Sequence, residues 1–210
     1  MLALLAVPEC PACAGPAEAG RVCGDCLAEL QRPLREEPCR GTPFASFRTG
    51  GPYGGPLGAL VRAAKFGPDE AIAHTLARSI AARFPPVAFA AIVPVPTTPW
   101  RRLQRGFHLP ELMAAALARS TGSPLAFPLR RRWGAAQSGR DDAARRGAAS
   151  SLLRAAHPAS GRVLLVDDVL TTGATLSAAA HELTAAGASE VHGVVVASSG
   201  PPLRAGVGFS

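Results

Sequence analysis

Lysine is almost missing from this chain of 210 residues: of its 22 basic side chains only Lys65 is a lysine. That scarcity excludes the phosphate loop of nucleoside triphosphatases, G-x-x-x-x-G-K-[ST], because the one lysine is followed by Phe66. Aromatic residues are also few, 5% of the chain, which argues against a platform on which successive single-stranded bases stack. No run of about 18 apolar residues occurs, so no membrane-spanning helix is expected. The opening "MLALLAVPEC" is apolar but lacks a basic region and is short for a signal peptide. The expectation is a soluble, cytoplasmic chain with no membrane partner.

What is present suits one ordinary domain with a small appendage. Apolar residues make up 48% of the chain, enough to build a core. The net charge is +7 and is unevenly spread: residues 101–146 hold ten arginines against Glu111, Asp141 and Asp142, which accounts for all of it. Such a segment can meet phosphate, pyrophosphate or nucleic acid. The plainer alternative is a solvated arginine-rich face.

Four of the five cysteines form two C-x-x-C pairs, Cys10 with Cys13 and Cys23 with Cys26, and nine residues separate the pairs. Each tight turn aims two thiolates at one point, so the two turns can close a tetrahedral zinc site. A flexible cysteine-rich arm or a redox pair competes, but two knuckles this close favour metal. Disulfides are not expected in a reducing compartment.

Residues 1–40 then read as a metal-stapled module, and the Gly- and Pro-rich stretch 41–55 as a connection. Helices are expected over 56–66, 69–84 and 110–120; in the second, Ile72, Leu76, Ile80 and Phe84 recur at four-residue spacing. Pro110 suits a first helical turn. "AAIVPVP" reads as a buried strand ending in prolines. Residues 130–150 read as a mobile hairpin or helical loop. A strand over 162–167, a loop over 168–173, a helix over 174–186 stopped by Gly187, and a strand over 190–197 follow. The domain is expected to end near residue 198, with 199–210 a flexible tail. Strands alternating with helices point to an α/β fold with a mostly parallel sheet.

The informative stretch is "RVLLVDDVLTTGATLSAAAHEL", residues 162–183. A buried strand runs into Asp167 and Asp168, then into a loop rich in hydroxyls, then into a helix. Ligands of such units bind beyond the carboxyl ends of the strands. The first N–H groups of the helix lack intrahelical partners and can cradle a phosphate. Gly173 lets the backbone approach closely, and Thr171, Thr172 and Thr175 add donors. Two carboxylates would repel a phosphate, so they suit sugar hydroxyls or a divalent cation instead. A sugar phosphate satisfies both halves. A purely local capping role for Asp168 and the threonines would leave the acidic pair unexplained.

This stretch resembles the phosphoribosyl pyrophosphate (PRPP) motif of type I phosphoribosyltransferases. Other segments narrow the resemblance to the ComF (competence protein F or GntX-like) family, which joins an N-terminal zinc ribbon to a phosphoribosyltransferase domain. They are "YGGPLGALVRAAKFG" (53–67), "IVPVP" (92–96), "RRLQRGF" (101–107) and "AAQSGRDDAARR" (135–146). The resemblance covers roughly residues 8–198. It implies a type I phosphoribosyltransferase-like parallel sheet flanked by helices over 56–198. It implies that Asp167 and Asp168 meet the ribose hydroxyls of PRPP, directly or through Mg²⁺. The turn Thr171, Thr172, Gly173, Ala174 and Thr175 would hold the 5′-phosphate, and Val95, Pro96 and Thr97 would form the pyrophosphate loop. It also gives Lys65 a place in the PRPP site. Among the arginines, Arg105 is the first choice for stabilising the leaving pyrophosphate, because Gly106 and Phe107 would let a loop pack around it.

The chain departs from the family in two places. The "RGF" run usually continues Asn-Gln, whereas here it continues His108-Leu109. Cys39 faces Thr42 where a second cysteine would sit, so one zinc is expected rather than two. His74, His157, His181 and His192 read as core or surface residues, and His108 stands out only by its position. Two functions follow from the resemblance. One is an enzyme passing phosphoribosyl from PRPP to a base or amine. The other is a non-catalytic sensor of PRPP or a nucleotide that serves DNA uptake with the competence machinery and binds single-stranded DNA.

Overall fold

The computed structural model describes residues 9–17, 22–67, 69–98, 100, 102–103, 106–131 and 153–200. Within them lies an α/β fold with a mostly parallel sheet flanked by helices. The strands are β1 (Arg35–Glu37), β2 (Ser46–Thr49), β3 (Ala91–Pro94), β4 (Leu129–Arg131), β5 (Leu153–Ala155), β6 (Gly161–Leu170) and β7 (Ala188–Ser198). The helices are α1 (Gly24–Glu29), α2 (Gly55–Phe66), α3 (Glu70–Arg83), α4 (Leu109–Thr121) and α5 (Ala174–Ala185). The main sheet has the order β1-β2-β7-β6-β3; β2, β7, β6 and β3 run parallel, and β1 is an antiparallel edge.

The central strands are apolar on both faces, as parallel strands covered on both sides must be. Leu164 and Val166 of β6, with Val194 and Val196 of β7, face a core shared with α2, α3 and α4. Val163 and Leu165, with Val195, face a second core shared with α5, β4 and β5. The four-residue spacing in α3 holds, since Ile72, Leu76, Ile80 and Phe84 are all buried. Asp69 caps that helix, its carboxylate accepting from the N–H groups of Ala71 and Ile72. Pro110 lies in the first turn of α4, and Gly122, left-handed at φ 68°, ends it.

Two expectations need correction. Residues 41–55 are not only a connection, because Ser46–Thr49 form β2 inside the sheet. The signal is a short alternation in which Phe47 and Thr49 are buried while Ser46 and Arg48 are half-buried. The loop expected over 168–173 is shorter. β6 continues through Asp168 to Leu170, because β7 runs alongside it, pairing Val169 with Ala197 and Leu170 with Ser198. At the other end, Ser198 belongs to β7, and the N–H of Ser199 donates to the carbonyl of Leu170. Residues 132–152 lie outside the described residues, and their described flanks, β4 and β5, pair antiparallel. Residues 201–210 also lie outside.

Two glycines set the spacing of these layers. Gly193 is the register partner of Phe47, and a Cβ there would stand 2.3 Å from the phenyl ring. A Cβ on Gly58 would run into the carbonyl of Tyr53, so α2 can lie against the chain entering it only with glycine at that turn. Gly193→Ala is expected to destabilise the protein by about 1–3 kcal/mol through overpacking. Urea unfolding checks this, with the added variant Phe47→Leu expected to restore part of the loss.

Candidate functional site

A cavity of about 800 Å³ opens at the carboxyl end of the parallel sheet. Tyr53 reaches it from the turn after β2, Val95, Pro96 and Thr97 from the end of β3, and Asp167, Asp168 and Thr171 from β6 and its turn. Thr175 on α5 lies beside them. Lys65 and Phe66 close one side from the last turn of α2, His108 enters at the start of α4, and Arg131 comes from β4.

The two carboxylates have different surroundings. Asp168 is paired: Lys65 Nζ donates to its Oδ1 at 2.7 Å, with both side chains mostly buried. Asp167 accepts the N–H of Asp168 at 2.8 Å. Burial pushes its carboxyl up to about 8, and the neighbouring Asp168 charge adds to this; the N–H bond, Lys65 and Arg131 act the other way. One carboxyl of the pair therefore resists ionisation, and the other is bonded to a lysine.

The turn after β6 is built as a cradle. Gly173 is left-handed at φ 76°, a conformation that glycine adopts without strain. It stands at the N-cap of α5 without a side-chain cap. Thr172 Oγ1 accepts from the N–H of Ala174 at 3.4 Å, so local capping falls to Thr172, while Asp168 is engaged with Lys65. Of the residues selected from the sequence, Lys65, Val95, Pro96, Thr97, Asp167, Asp168, Thr171 and Thr175 line one cavity. Thr172, Gly173 and Ala174 lie in the adjoining turn without lining it. Arg105 lies outside the described residues. Sequence reasoning gave no role to Tyr53, Phe66 or Arg131. Tyr53 and Phe66 sat unused inside the quoted segment 53–67, and Arg131 was one arginine among ten.

A second constellation lies at the N-terminal module. The sulfurs of Cys10, Cys13, Cys23 and Cys26 all lie within 4.8 Å of one another. Four sulfurs bound to zinc at about 2.3 Å stand roughly 3.8 Å apart, so this donor set fits that ion. The thiols are unequal. Burial works to raise Cys10, but the backbone N–H groups of Cys23, Ala12 and Cys13 outweigh it and bring the thiol down to about 6. Cys26 is pushed far up by burial and by the neighbouring thiols. A divalent ion would relieve this conflict by letting all four deprotonate together. Cys39 stands apart; its Sγ faces the carbonyl of Glu37 at 3.3 Å, and Thr42 Oγ1 donates to the Cys39 carbonyl at 2.7 Å.

Residues 111–203 match the family described as phosphoribosyl transferase domain. The matched stretch, a little under half of the chain, is similar to a phosphoribosyltransferase domain. The match takes in the acidic pair and the turn after it, whereas Lys65, Val95, Pro96 and Thr97 lie before its start and enter the cavity through the fold alone. Among solved structures, the chain is similar to the glutamine phosphoribosylpyrophosphate (PRPP) amidotransferase of B. subtilis, complexed with ADP and GMP. The identity is 24% over 59% of this chain and 25% of that one, at a TM-score of 0.43, so the chain spans a quarter of that protein's length. No curated protein matches the chain. Among the described residues, no helix is long and apolar enough to cross a membrane.

Two outcomes follow for the cavity and the cysteine module. An unfolded aspartate titrates near 4. Between that value and about 8 the folded chain holds a proton at Asp167 that the unfolded chain has lost, so this group makes stability fall as pH rises through that window. Asp167→Asn should remove the dependence and raise the melting temperature at pH 8 while changing it little at pH 4; thermal melts at the two values check this. Metal analysis by atomic absorption should find one zinc per chain, lost in Cys10→Ser/Cys26→Ser. Two equivalents, or none, would contradict the reading of the cysteines.

Proposed function

We propose that this chain is a ComF-type phosphoribosyltransferase that binds PRPP with Mg²⁺ and transfers the phosphoribosyl group to a base or amine acceptor, releasing pyrophosphate. The observation that carries the reading is the meeting, in one cavity, of the acidic pair, the hydroxyl-rich turn and the Val95–Thr97 segment. The 5′-phosphate would lie in the Thr171–Thr175 turn, where unpaired N–H groups and the positive end of α5 favour an anion. Asp167 and Asp168 would accept from the ribose 2- and 3-hydroxyls. Their oxygens also suit a hard divalent ion, which prefers carboxylate and water ligands.

The reaction breaks the anomeric C–O bond through an oxocarbenium-like transition state, as glycoside cleavage does. Positive charge grows on the ribose, beside Asp167 and Asp168. Negative charge grows on the departing pyrophosphate, where Mg²⁺, when bound, would neutralise it. Lys65 and Arg131 are the lysine and arginine that line the cavity among the described residues. Groups that hold developing charge stabilise the transition state more than the ground state. Lys65 would exchange its bond to Asp168 for the ligand, so that ion pair holds a cation where the anion is to lie.

A second reading, a PRPP- or nucleotide-sensing factor in DNA uptake that binds single-stranded DNA, draws on exposed rings near the basic segment. Trp100 is 64% exposed and Phe66, at the cavity, 72%. Rings of this kind can stack on bases, and such binding would weaken steeply with salt.

Calorimetric titration of PRPP with Mg²⁺ into the wild type and Asp167→Asn/Asp168→Asn separates these readings. The charged hydrogen bond lost at Asp168 alone is worth about 1.5–3 kcal/mol, so the double variant should bind at least tenfold more weakly. Pyrophosphate release with any nucleobase or ammonia supports the enzyme. Tight PRPP binding without release, together with salt-sensitive binding of an oligonucleotide, supports the second reading. Absence of PRPP binding by the wild type refutes the enzyme, and absence of salt-sensitive oligonucleotide binding as well refutes the second reading.

A further inference from the structure

His108 stands at the N-cap of α4 but makes no capping bond, although side chains at that position commonly satisfy a helix N–H. Its side chain is only 8% exposed and lines the cavity. Nδ1 is sealed from solvent without a hydrogen-bond partner. Glu111 Oε1, one turn along the helix, stands 3.4 Å from it. The same oxygen accepts from Arg102 Nη1 at 2.9 Å. A chain of three side chains thus runs from the exposed arginine, through a half-buried carboxylate, to a buried imidazole at the ligand cavity.

A buried imidazole with one nitrogen toward a carboxylate favours the tautomer with its proton on that nitrogen, leaving the lone pair on the other. Here that places the proton on Nδ1 and the lone pair on Nε2. Burial lowers the basicity of the ring; Glu111 and Asp168 oppose this, and Arg102 adds to it. The groups that face the ring or share its cavity are Glu111 in the first turn of α4, Arg102 seven residues before that helix, Asp167 and Asp168 on β6, Tyr53 after β2, Lys65 on α2 and Arg131 on β4. The arrangement is that of a base held by an orienting carboxylate, whose contacts are often loose before substrate arrives.

We propose that His108 accepts the proton of the incoming nucleophile, with Glu111 orienting the ring and Arg102 fixing Glu111. The inference rests on the phosphoribosyl-transfer reading above and restricts the acceptor to an amine or a heterocycle that carries an N–H. The acceptor nitrogen forms its bond to the anomeric carbon as the C–O bond to pyrophosphate breaks. The bonding pair departs with pyrophosphate, the proton passes from nitrogen to Nε2 of His108, and the imidazolium returns it to water. Glu111 and Arg102 are positioning residues in this scheme.

The first test needs no substrate. Long-range ¹H–¹⁵N spectra of the full chain at pH 7.5, with the His108 signal identified by its loss in His108→Asn, should show a neutral ring protonated at Nδ1. Glu111→Gln should weaken that preference. An Nε2–H tautomer or an imidazolium in the wild type overturns the proposal. The second test measures pyrophosphate release from PRPP with Mg²⁺ and a panel of nucleobases and ammonia. His108→Asn, which keeps a side chain suited to an N-cap, should lower kcat about 100-fold, in the range for general bases. Its PRPP affinity by calorimetry should stay within about twofold, a change that is small on the binding scale. Glu111→Gln should move the acidic limb of the kcat/KM profile to lower pH. An unchanged kcat in His108→Asn, or PRPP binding by the wild type with no release for any acceptor, overturns the role of His108. Absence of PRPP binding by the wild type instead overturns the underlying reading.

Discussion

Two adjacent carboxylates at the end of a strand covered on both faces set the terms for everything around them. Like charges about 4 Å apart repel by about 4 kcal/mol near a protein surface. Such a pair is tolerable only if one member stays neutral or cations stand close. Both devices operate here. Burial favours the protonated form of Asp167, and Asp168 holds Lys65. Lys65 can reach because it lies in the last turn of α2, where the negative end of the helix also favours a cation. The position of α2 depends in turn on the close approach of Gly58 to Tyr53. The acidic pair, the lysine, the helix and the turn after β2 therefore form one mechanical unit around the cavity.

The same pair explains why the site is polar in a chain whose sheet is so apolar. β6 alternates its apolar side chains between two cores up to Val166 and then, without leaving the ladder with β7, presents carboxylates. Staying in the ladder matters. A residue in a loop can turn away from an unfavourable charge, whereas one in a strand is held by its register. The acids are thus fixed where a ligand can use them, and the remaining freedom lies in the Lys65 side chain.

Much of this was legible in the sequence, and the parts that were not share a physical cause. The α3 helix announced itself by four-residue spacing, β3 and the start of β6 by apolar runs, and the cysteine cluster by paired knuckles. β2 was hidden because a four-residue strand with one large apolar side chain, set among glycines and prolines, looks locally like a loop. Only the partner strand, with Gly193 making room for Phe47, makes it a strand. The continuation of β6 past the acids was hidden likewise, since Asp168 in isolation favours a turn and pairing with β7 overrides that preference. Local propensity is weak evidence wherever a neighbour supplies the hydrogen bonds. Arg102, Glu111 and His108 were each visible, but nothing in their spacing shows that the arginine meets the carboxylate.

The cysteine module belongs to the same chain of dependence. Cys10, Val22, Cys26 and Leu30 are buried in the core that also contains Leu57, Leu60, Val61 and Ala64 of α2, and α1 packs against α2. A short helix of six residues is too short to be stable by itself and needs such support. Whatever orders the four sulfurs therefore also orders the surface on which α2 rests. α2 carries Lys65 in its last turn, so the module and the acidic pair are joined by packing through one helix. Loosening the cysteine cluster should loosen the hold on Asp168, because the lysine that neutralises it is only as well placed as the helix behind it.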